Sequence, residues 1–492
     1  MSIRPNITLL FILSVLTVLL VIAIVFPEKG IAITEKARLK FVKPSELFSK
    51  ENEEYADISH IIQSDAILDD TLLANLVSEE EIPWDTVRAN ADSLRRSIRR
   101  LEFPPNYQKL LYPVFSAMDH AASATDPVRI MHYGDSQIEG DRITSFIRNR
   151  LQRKFGGMGV GLVPVEHVYD FRFSVIQDNS DNWMRYTVYG NRDTTLLHDR
   201  YGALGSFARF SPYGQDTSST ELQYEAWVSF APSDYSYPNT KHFQQCRIFY
   251  SHNPEPFMTE LYQDEELTEA EMYPASSSLQ TIRWIFDQPA SNIRIVFRGS
   301  TSPEIYGIAL DGLNGVAVDN IPMRGSAGLV FTKMDEAILR DHYNKLNTKL
   351  IILQFGGNVV PYITDYNYYE RLFSSQLRRI KRVAPGAAVI VIGVADMSIK
   401  ERNRYVSYPN IEKVRNALKN AALKNNAIYW DMYEAMGGKN SMPSWVFANP
   451  PLAAKDFVHF NPNGAKIIAH MFYNALMYEY NLYKKNTTQP DE

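Results

Sequence analysis

Four side chains suited to acyl transfer occur at separate points of the chain. Ser136 lies in the stretch GDS, Asn358 in GGN, and Asp456 and His459 are three residues apart in KDFVHF. A serine nucleophile needs a base, a carboxylate that orients the base, and donors for the developing oxyanion. Asp456 can accept from Nδ1 of His459, which leaves Nε2 to take the Ser136 proton. The pattern therefore predicts ester chemistry through Ser136, His459 and Asp456.

Each of these residues also has an ordinary structural interpretation. Asp and Ser are favoured at helix N-caps, and Gly-Gly-Asn suits a turn after a strand. Asp456 can be a surface residue and His459 a polar residue in a turn. If the segment is a helical turn, the three-residue spacing places both side chains on one face.

The elements that must position these residues are apolar runs of strand length. They are VRIM from Val128, GVAVDNI, KLIILQF, AAVIVIG and NAIYWDM, and amphipathic helical segments separate the last four. This alternation is typical of an α/β fold with about five parallel strands, a flavodoxin-like sheet with helices on both faces. The chemically interesting residues all follow strands, at the edge where such sheets hold their active sites.

The segment from about residue 165 to 306 has a different pattern. Short runs such as HFQQCRIFYS and SNIRIVFRGS alternate with period two and are separated by polar turns. This predicts an antiparallel β-sandwich or jelly roll inserted into the α/β domain. Cys246, the only cysteine, falls in one of these runs, and we interpret it as a packing residue.

An uncharged run of twenty residues, 7–26, precedes the folded region. Twenty apolar residues are enough to cross a bilayer as a helix. A cleaved signal peptide is the alternative, but its apolar region is typically shorter and no clear cleavage site follows. We expect an uncleaved anchor with the bulk of the chain outside the cytoplasm, because long C-terminal domains translocate largely regardless of charge.

Composition excludes several other classes of protein. The chain has 492 residues with 51 basic and 56 acidic side chains, and no long run of one sign indicates a nucleic-acid partner. One cysteine allows neither an intramolecular disulfide nor a zinc site built on two or more cysteines. The sequence indicates no metal and no organic cofactor.

With these motifs in chain order, the sequence resembles the SGNH/GDSL hydrolases. The resemblance covers 129–158 and 315–480 and implies an SGNH hydrolase fold in which Ser136 is the nucleophile and Asp456 and His459 complete the triad. It also implies an oxyanion hole made by Ser136, Gly325 and Asn358, with Gly328 as the alternative to Gly325. Gln137 stands where the GDSL name has leucine. We expect Ser136 both to cap its helix and to attack from it.

The layout is most similar to one branch, the bacterial peptidoglycan O-acetylesterases, which carry a carbohydrate-binding β-sandwich between the first and second motifs. The resemblance implies a membrane-anchored, periplasmic esterase of the bacterial cell envelope that removes O-acetyl groups from a glycan. An O-acyltransferase with the same triad and a catalytically vestigial polysaccharide-binding protein are the alternatives. A lipase is disfavoured, since no apolar lid segment flanks Ser136.

Aromatic residues of the insert are candidates for stacking on sugars, although each is as well explained by a place in the core. They are Trp183, Tyr186, Tyr189, Trp227, Tyr235 and Tyr237.

The sequence predicts six segments along the chain, two of which together form the hydrolase domain. They are an anchor over 1–27, a stalk with short helices over 28–100, the hydrolase domain over 101–164 and 307–485, the inserted carbohydrate-binding-like sandwich over 165–306, and a polar tail over 486–492.

Overall fold

The structure is a computed structural model that describes residues 5–27, 31, 32, 38, 39, 55–63, 98–167, 169, 171–213 and 223–488. Most of the predicted stalk, 28–100, therefore lies outside the described residues, as do residues 489–492 of the predicted tail. By contacts the chain divides into two units, Met1–Glu54 and Tyr55–Glu492.

The helices and strands are labelled here in chain order. The helices are α1 (Pro5–Val25), α2 (Ser59–Gln63), α3 (Tyr112–Asp119), α4 (Thr144–Phe155), α5 (Glu336–Lys345), α6 (Tyr366–Val383), α7 (Ile411–Lys424), α8 (Met432–Ala435), α9 (Ser441–Phe447) and α10 (Pro462–Thr488). The strands are β1 (Ile31–Ala32), β2 (Arg38–Leu39), β3 (Val128–Gly134), β4 (Gly161–Val163), β5 (Val175–Asn179), β6 (Met184–Thr187), β7 (Ser206–Arg209), β8 (Tyr224–Pro232), β9 (Phe243–Ser251), β10 (Phe257–Gln263), β11 (Glu266–Tyr273), β12 (Gln280–Ala290), β13 (Ile293–Gly299), β14 (Glu304–Asp311), β15 (Val316–Pro322), β16 (Thr348–Gln354), β17 (Ala388–Ile392), β18 (Ser398–Glu401), β19 (Arg404–Ser407) and β20 (Ile428–Trp430).

The five apolar runs form a parallel sheet in the order β15-β3-β16-β17-β20. Successive residues of a strand face opposite sides, so each strand serves two cores. In β3, Ile130 packs with α3, α4 and α10 on one face, whereas Met131 packs with α5, α6 and α7 on the other. The prediction of an α/β fold with helices on both faces is confirmed.

Two antiparallel sheets are formed by the chain between β3 and β15. Their strand orders are β11-β10-β13-β8-β5 and β12-β9-β14-β7-β6, and β4 pairs with β14. A third core cluster contains residues of both sheets, including buried Cys246 of β9 and Phe297 of β13. The antiparallel strands run from Gly161 to Asp311, and thus extend a few residues beyond 165–306 at both ends.

A buried network of charges joins the antiparallel strands to the parallel sheet. The Arg129 guanidinium of β3 donates to Asp311 of β14 and to Asp319 of β15. Asp319 also accepts from the Leu162 N–H of β4 at 2.7 Å, and Arg247 of β9 donates to Asp311 at 3.0 Å. Removing one member would leave a buried charge without its partner, a strongly destabilising change.

Trp183 is not a surface aromatic, which corrects its candidacy for sugar stacking. Its side chain is 6% exposed and packs edge-on against Phe210 and Phe297. Its indole N–H donates to the Trp227 carbonyl at 3.0 Å. Trp227 itself lies under the Arg294 guanidinium, so only Tyr235 of the six aromatics has a largely exposed ring.

Helix α1 is long and apolar enough to cross a membrane. Its window Thr8–Val25 has a mean hydropathy of 3.1. A signal sequence near the N-terminus has the same properties, and length and composition do not separate the two.

Candidate active site

Ser136 follows the C-terminal end of β3, where the strand turns sharply into a short 3-10 helical segment, Ser136–Asp141, which is kinked at Glu139 and Gly140. Gly134 is required at this turn, because a Cβ there would lie 2.9 Å from the Ile138 side chain and 3.0 Å from the Gln354 carbonyl. The helix cap is Asp135, whose carboxylate accepts from the Gln137 N–H at 3.0 Å. The expectation that Ser136 is the cap was wrong by one residue, since Ser136 is the first residue of the helix.

The far end of this 3-10 helix is fixed by a buried ion pair. Asp141 has a left-handed backbone conformation, φ 66°, and its carboxylate accepts from Arg148 at 2.6 and 3.2 Å. The Ser174 hydroxyl donates to the same carboxylate. Buried groups thus hold both ends of the kinked segment that begins at Ser136.

The structure brings Ser136, His459 and Asp456 together in one hydrogen-bonded chain. The Ser136 Oγ lies 2.8 Å from His459 Nε2, and His459 Nδ1 lies 2.7 Å from Asp456 Oδ2. With the carboxylate accepting from Nδ1–H, the Nε2 lone pair faces the serine hydroxyl. This is the arrangement in which an imidazole can take the serine proton.

Asp456 and His459 are brought together by a turn and not by a helix, which corrects the helical-turn expectation. Phe457 between them is left-handed, with φ 59°, and α10 begins only at Pro462. The other oxygen of Asp456 accepts from the backbone N–H groups of Val458 and His459 at 2.9 and 3.0 Å. One carboxylate thus holds both the turn and the imidazole.

The two glycines considered for the oxyanion hole have different environments. Gly325 is exposed, has φ 76°, and has open space where a Cβ would be. Gly328 is buried, a Cβ on it would lie 2.8 Å from the Phe355 ring, and its N–H donates to the Ser326 hydroxyl at 3.1 Å. The surroundings therefore favour Gly325 as the available donor.

Asn358 lies in the loop after β16, and its side-chain amide is fixed by a contact with the glycine loop after β15. The Asn358 Nδ2 donates to the Ser326 carbonyl at 3.2 Å. This contact uses one of the two N–H bonds of the amide and orients the other.

Two side chains next to Ser136 connect its helix to the histidine loop, and sequence reasoning assigned neither of them a role. The Gln137 amide donates to the Val458 carbonyl at 2.6 Å and accepts from the Phe460 N–H at 3.4 Å. Arg142 donates to the Ser136 carbonyl at 2.6 Å and to the Phe460 carbonyl at 3.1 Å. The only sequence feature that could have pointed to a role for Gln137 is its place in the motif, where it replaces leucine.

The two carboxylates near the site have opposite pKa shifts. Burial opposes ionisation of Asp456, but hydrogen bonds from His459 and the turn N–H groups outweigh it and lower its pKa. Burial raises the pKa of Asp135 to about 6, against the opposing effect of N–H donors from Gln137 and Gly357. Asp456 is therefore the carboxylate that stays ionised beside the imidazole.

Neither His470 nor a group of metal-ligating side chains adds to this site in the described part of the chain. His470 of α10 packs edge-on against the Phe146 ring, as expected of a packing residue. Across the described part of the chain, no group of three or more His, Cys, Asp or Glu side chains is arranged to hold a metal ion.

Comparisons with known proteins agree with this fold. Residues 299–467 match the GDSL-like Lipase/Acylhydrolase family, a segment that includes Gly325, Asn358, Asp456 and His459 but not Ser136. A solved structure of a peptidoglycan O-acetylesterase shares the fold, with 20% identity and a TM-score of 0.58 over 76% of this chain and 96% of that one.

Two further solved structures are similar to this chain only at low TM-scores. An acetyl xylan esterase has 16% identity and a TM-score of 0.26, covering 33% of this chain and 81% of its own. A family two carbohydrate esterase from Cellvibrio japonicus has 8% identity and a TM-score of 0.22, covering 62% and 99%. No curated protein matches the sequence significantly.

Proposed function

We propose that the chain, an ester-hydrolysing enzyme whose residues 299–467 match the GDSL-like Lipase/Acylhydrolase family, removes O-acetyl groups from a glycan of the bacterial cell envelope. The nucleophile is Ser136, the base His459 and the orienting carboxylate Asp456. The observation that carries the assignment is the pair of short contacts, 2.8 Å from Ser136 to His459 and 2.7 Å from His459 to Asp456.

The proposed reaction has two steps through an acetyl-enzyme. His459 Nε2 takes the hydroxyl proton while Ser136 Oγ attacks the acetyl carbonyl. The resulting imidazolium then protonates the departing sugar oxygen, which leaves as a hydroxyl as its bond to the acetyl carbon breaks. Water then attacks the acetyl-serine with His459 again as base, which releases acetate and free Ser136. The oxyanion of each step is stabilised by the Ser136 N–H, the Gly325 N–H and the Asn358 amide, and one such donor is worth ~3–4 kcal/mol.

Hydrolysis is favoured over acyl transfer by the openness of the site. The His459 side chain is 32% exposed and that of Asp456 48% exposed, so bulk water reaches the base directly. A transferase with the same triad has to keep water from the acyl-enzyme, and an exposed base is poorly suited to that task. The intact hydrogen-bonded chain likewise disfavours a vestigial, purely binding role.

The substrate class and the location rest on two supports. The fold is shared with a peptidoglycan O-acetylesterase over most of both chains, and α1 is apolar and long enough to serve as an anchor. We propose that α1 is an uncleaved membrane anchor, that the enzyme acts in the periplasm, and that the two antiparallel sheets form an inserted β-sandwich that binds glycan. The segment boundaries given above are part of this proposal.

Acetate release from O-acetylated peptidoglycan tests the function directly. The full-length protein should release acetate from peptidoglycan and from a small chromogenic acetate, and Ser136→Ala should abolish both while its thermal unfolding stays unchanged. Acetylated xylan serves as the comparison glycan. Hydrolysis of the chromogenic acetate without release from either glycan would contradict the proposed substrate class.

A further inference from the structure

Two aromatic side chains of the antiparallel block, Phe171 and Tyr235, are exposed to solvent and contact each other. Phe171 is 51% exposed and Tyr235 64% exposed, and their rings meet edge to face with centroids 5.7 Å apart. The Phe173 ring packs against Tyr235 with centroids 6.1 Å apart, and the Tyr237 ring packs against Phe173 with centroids 5.8 Å apart. The pair is therefore supported from behind and keeps two rings in solvent, where aromatic rings are usually avoided.

This pair is attached to the helix that carries Ser136. The Phe173 N–H donates to the Gly140 carbonyl at 2.9 Å, and the Phe171 carbonyl oxygen lies 3.4 Å from the point where a Gly140 Cβ would be. Gly140 is four residues after Ser136, a stretch that spans at most ~14 Å. The backbone that carries the pair is thus hydrogen-bonded to a residue within ~14 Å of the nucleophile along the chain.

A second connection runs from the oxyanion glycine toward the same segment. Arg324, next to Gly325, places its guanidinium over the Tyr169 ring, 4.9 Å from the centroid. The same guanidinium pairs with Glu139 of the 3-10 helix, with one contact of 2.7 Å. Arg324 therefore connects the glycine loop both to the segment that carries Ser136 and to the Tyr169 ring.

We infer that Phe171 and Tyr235 form a stacking platform for a sugar ring of the substrate, next to the ring that carries the scissile ester. The inference rests on the proposed function and names the residues that would recognise its glycan. A sugar ring has an apolar C–H face that packs on an aromatic ring, and hydroxyls at its rim that need polar partners. The Arg324–Glu139 pair supplies charged, hydrogen-bonding groups, which suit sugar hydroxyls better than an acyl chain.

The test compares a polymeric and a small substrate. Phe171→Ala, Tyr235→Ala and the double variant should each lower kcat/KM on O-acetylated peptidoglycan, by about three- to tenfold for a single change. Hydrolysis of a small chromogenic acetate should stay unchanged, because it cannot use a remote contact. Tyr107→Ala is the matched control, since Tyr107 is also exposed (45%) but lies in the turn before α3.

A binding measurement makes failure of the inference distinguishable from failure of the proposed function. The platform changes, introduced into Ser136→Ala protein, should weaken its binding to insoluble peptidoglycan by a similar factor, and Tyr107→Ala should not. If wild-type protein releases acetate from peptidoglycan and the platform variants act and bind like it, the inference is wrong and the function stands. If wild-type protein releases no acetate from any glycan, the proposed function is wrong. Equal losses on polymer and chromogenic acetate would overturn the inference by showing that the two rings only support the catalytic fold.

Discussion

Replacing Gln137 by leucine tests whether the base is positioned through the backbone of its loop. The change removes the 2.6 Å bond to the Val458 carbonyl and the weaker 3.4 Å bond from the Phe460 N–H, the two backbone groups on either side of His459. A neutral hydrogen bond contributes about 0.5–1.5 kcal/mol, so the pair is worth ~1–2 kcal/mol. If this energy serves to hold His459 against Ser136, kcat should fall about five- to thirtyfold.

The assay is steady-state hydrolysis of a small chromogenic acetate. We expect the loss in kcat and little change in KM, because a small acetate makes no contact with Gln137's partners. Gln152→Leu is the matched control. Gln152 is a buried glutamine of α4 whose amide donates to the Gly159 carbonyl at 3.0 Å, so its loss should lower stability and leave kcat unchanged. An unchanged kcat in Gln137→Leu, or the same loss in both variants, would refute a positioning role.

Three further predictions concern protonation and the glycine loop. Only an uncharged imidazole can accept the serine proton, so kcat/KM on the chromogenic acetate should fall on acidification as His459 becomes protonated. A profile that stays flat on the acid side would argue against His459 as base. Burial raises the folded-state pKa of Asp396 from 3.8 to about 6, so its stabilising contribution is present below pH 3.8 and lost as pH rises through 6. The stability advantage of wild type over Asp396→Asn in urea should therefore shrink by ~1.4 kcal/mol from pH 5 to pH 8, and a constant difference would show that the carboxyl titrates normally. Gly328→Ala should lower the free energy of unfolding by about 2–4 kcal/mol, since it combines left-handed backbone strain with a clash on Phe355. Gly325→Ala should lower it by only the ~1–2 kcal/mol of backbone strain. Equal losses in the two variants would contradict this difference.

The parallel sheet and the order of the site residues were accessible from the sequence for a physical reason. Strands buried on both faces are continuous apolar runs, and the residues that follow them gather at one edge of the sheet. Ser136 and Asn358 follow such runs directly or through a short loop, whereas Asp456 follows the last strand only after two short helices. Because the carboxyl ends of parallel strands lie at one edge of the sheet, the strand pattern alone predicts that these residues lie near one another.

Local geometry was less accessible, because it depends on contacts that spacing does not encode. Asp135 and Ser136 are equally good caps by type, and the choice is made by the position of the Gln137 N–H relative to the Asp135 carboxylate. The turn between Asp456 and His459 depends on a left-handed Phe457, a conformation unusual for an aromatic residue. A helical turn was therefore the natural expectation and was wrong.

The sequence also did not predict which aromatic side chains of the antiparallel block are exposed. Alternation shows that a strand has two faces, but it does not show which face meets the second sheet. Trp183 precedes β6 and packs inward against Phe210 and Phe297, whereas Tyr235 lies after β8 and is 64% exposed although it contacts Phe171. The two residues have the same type of side chain and opposite environments.

The most direct test of the central claim is covalent capture of the nucleophile. A phosphonate ester that mimics the tetrahedral intermediate should label wild-type protein at Ser136, as read by mass spectrometry of the digested chain. Labelling should disappear in Ser136→Ala and slow by orders of magnitude in His459→Gln, which keeps the fold but cannot act as base. Labelling at a residue other than Ser136, or hydrolysis that persists in Ser136→Ala, would contradict the account.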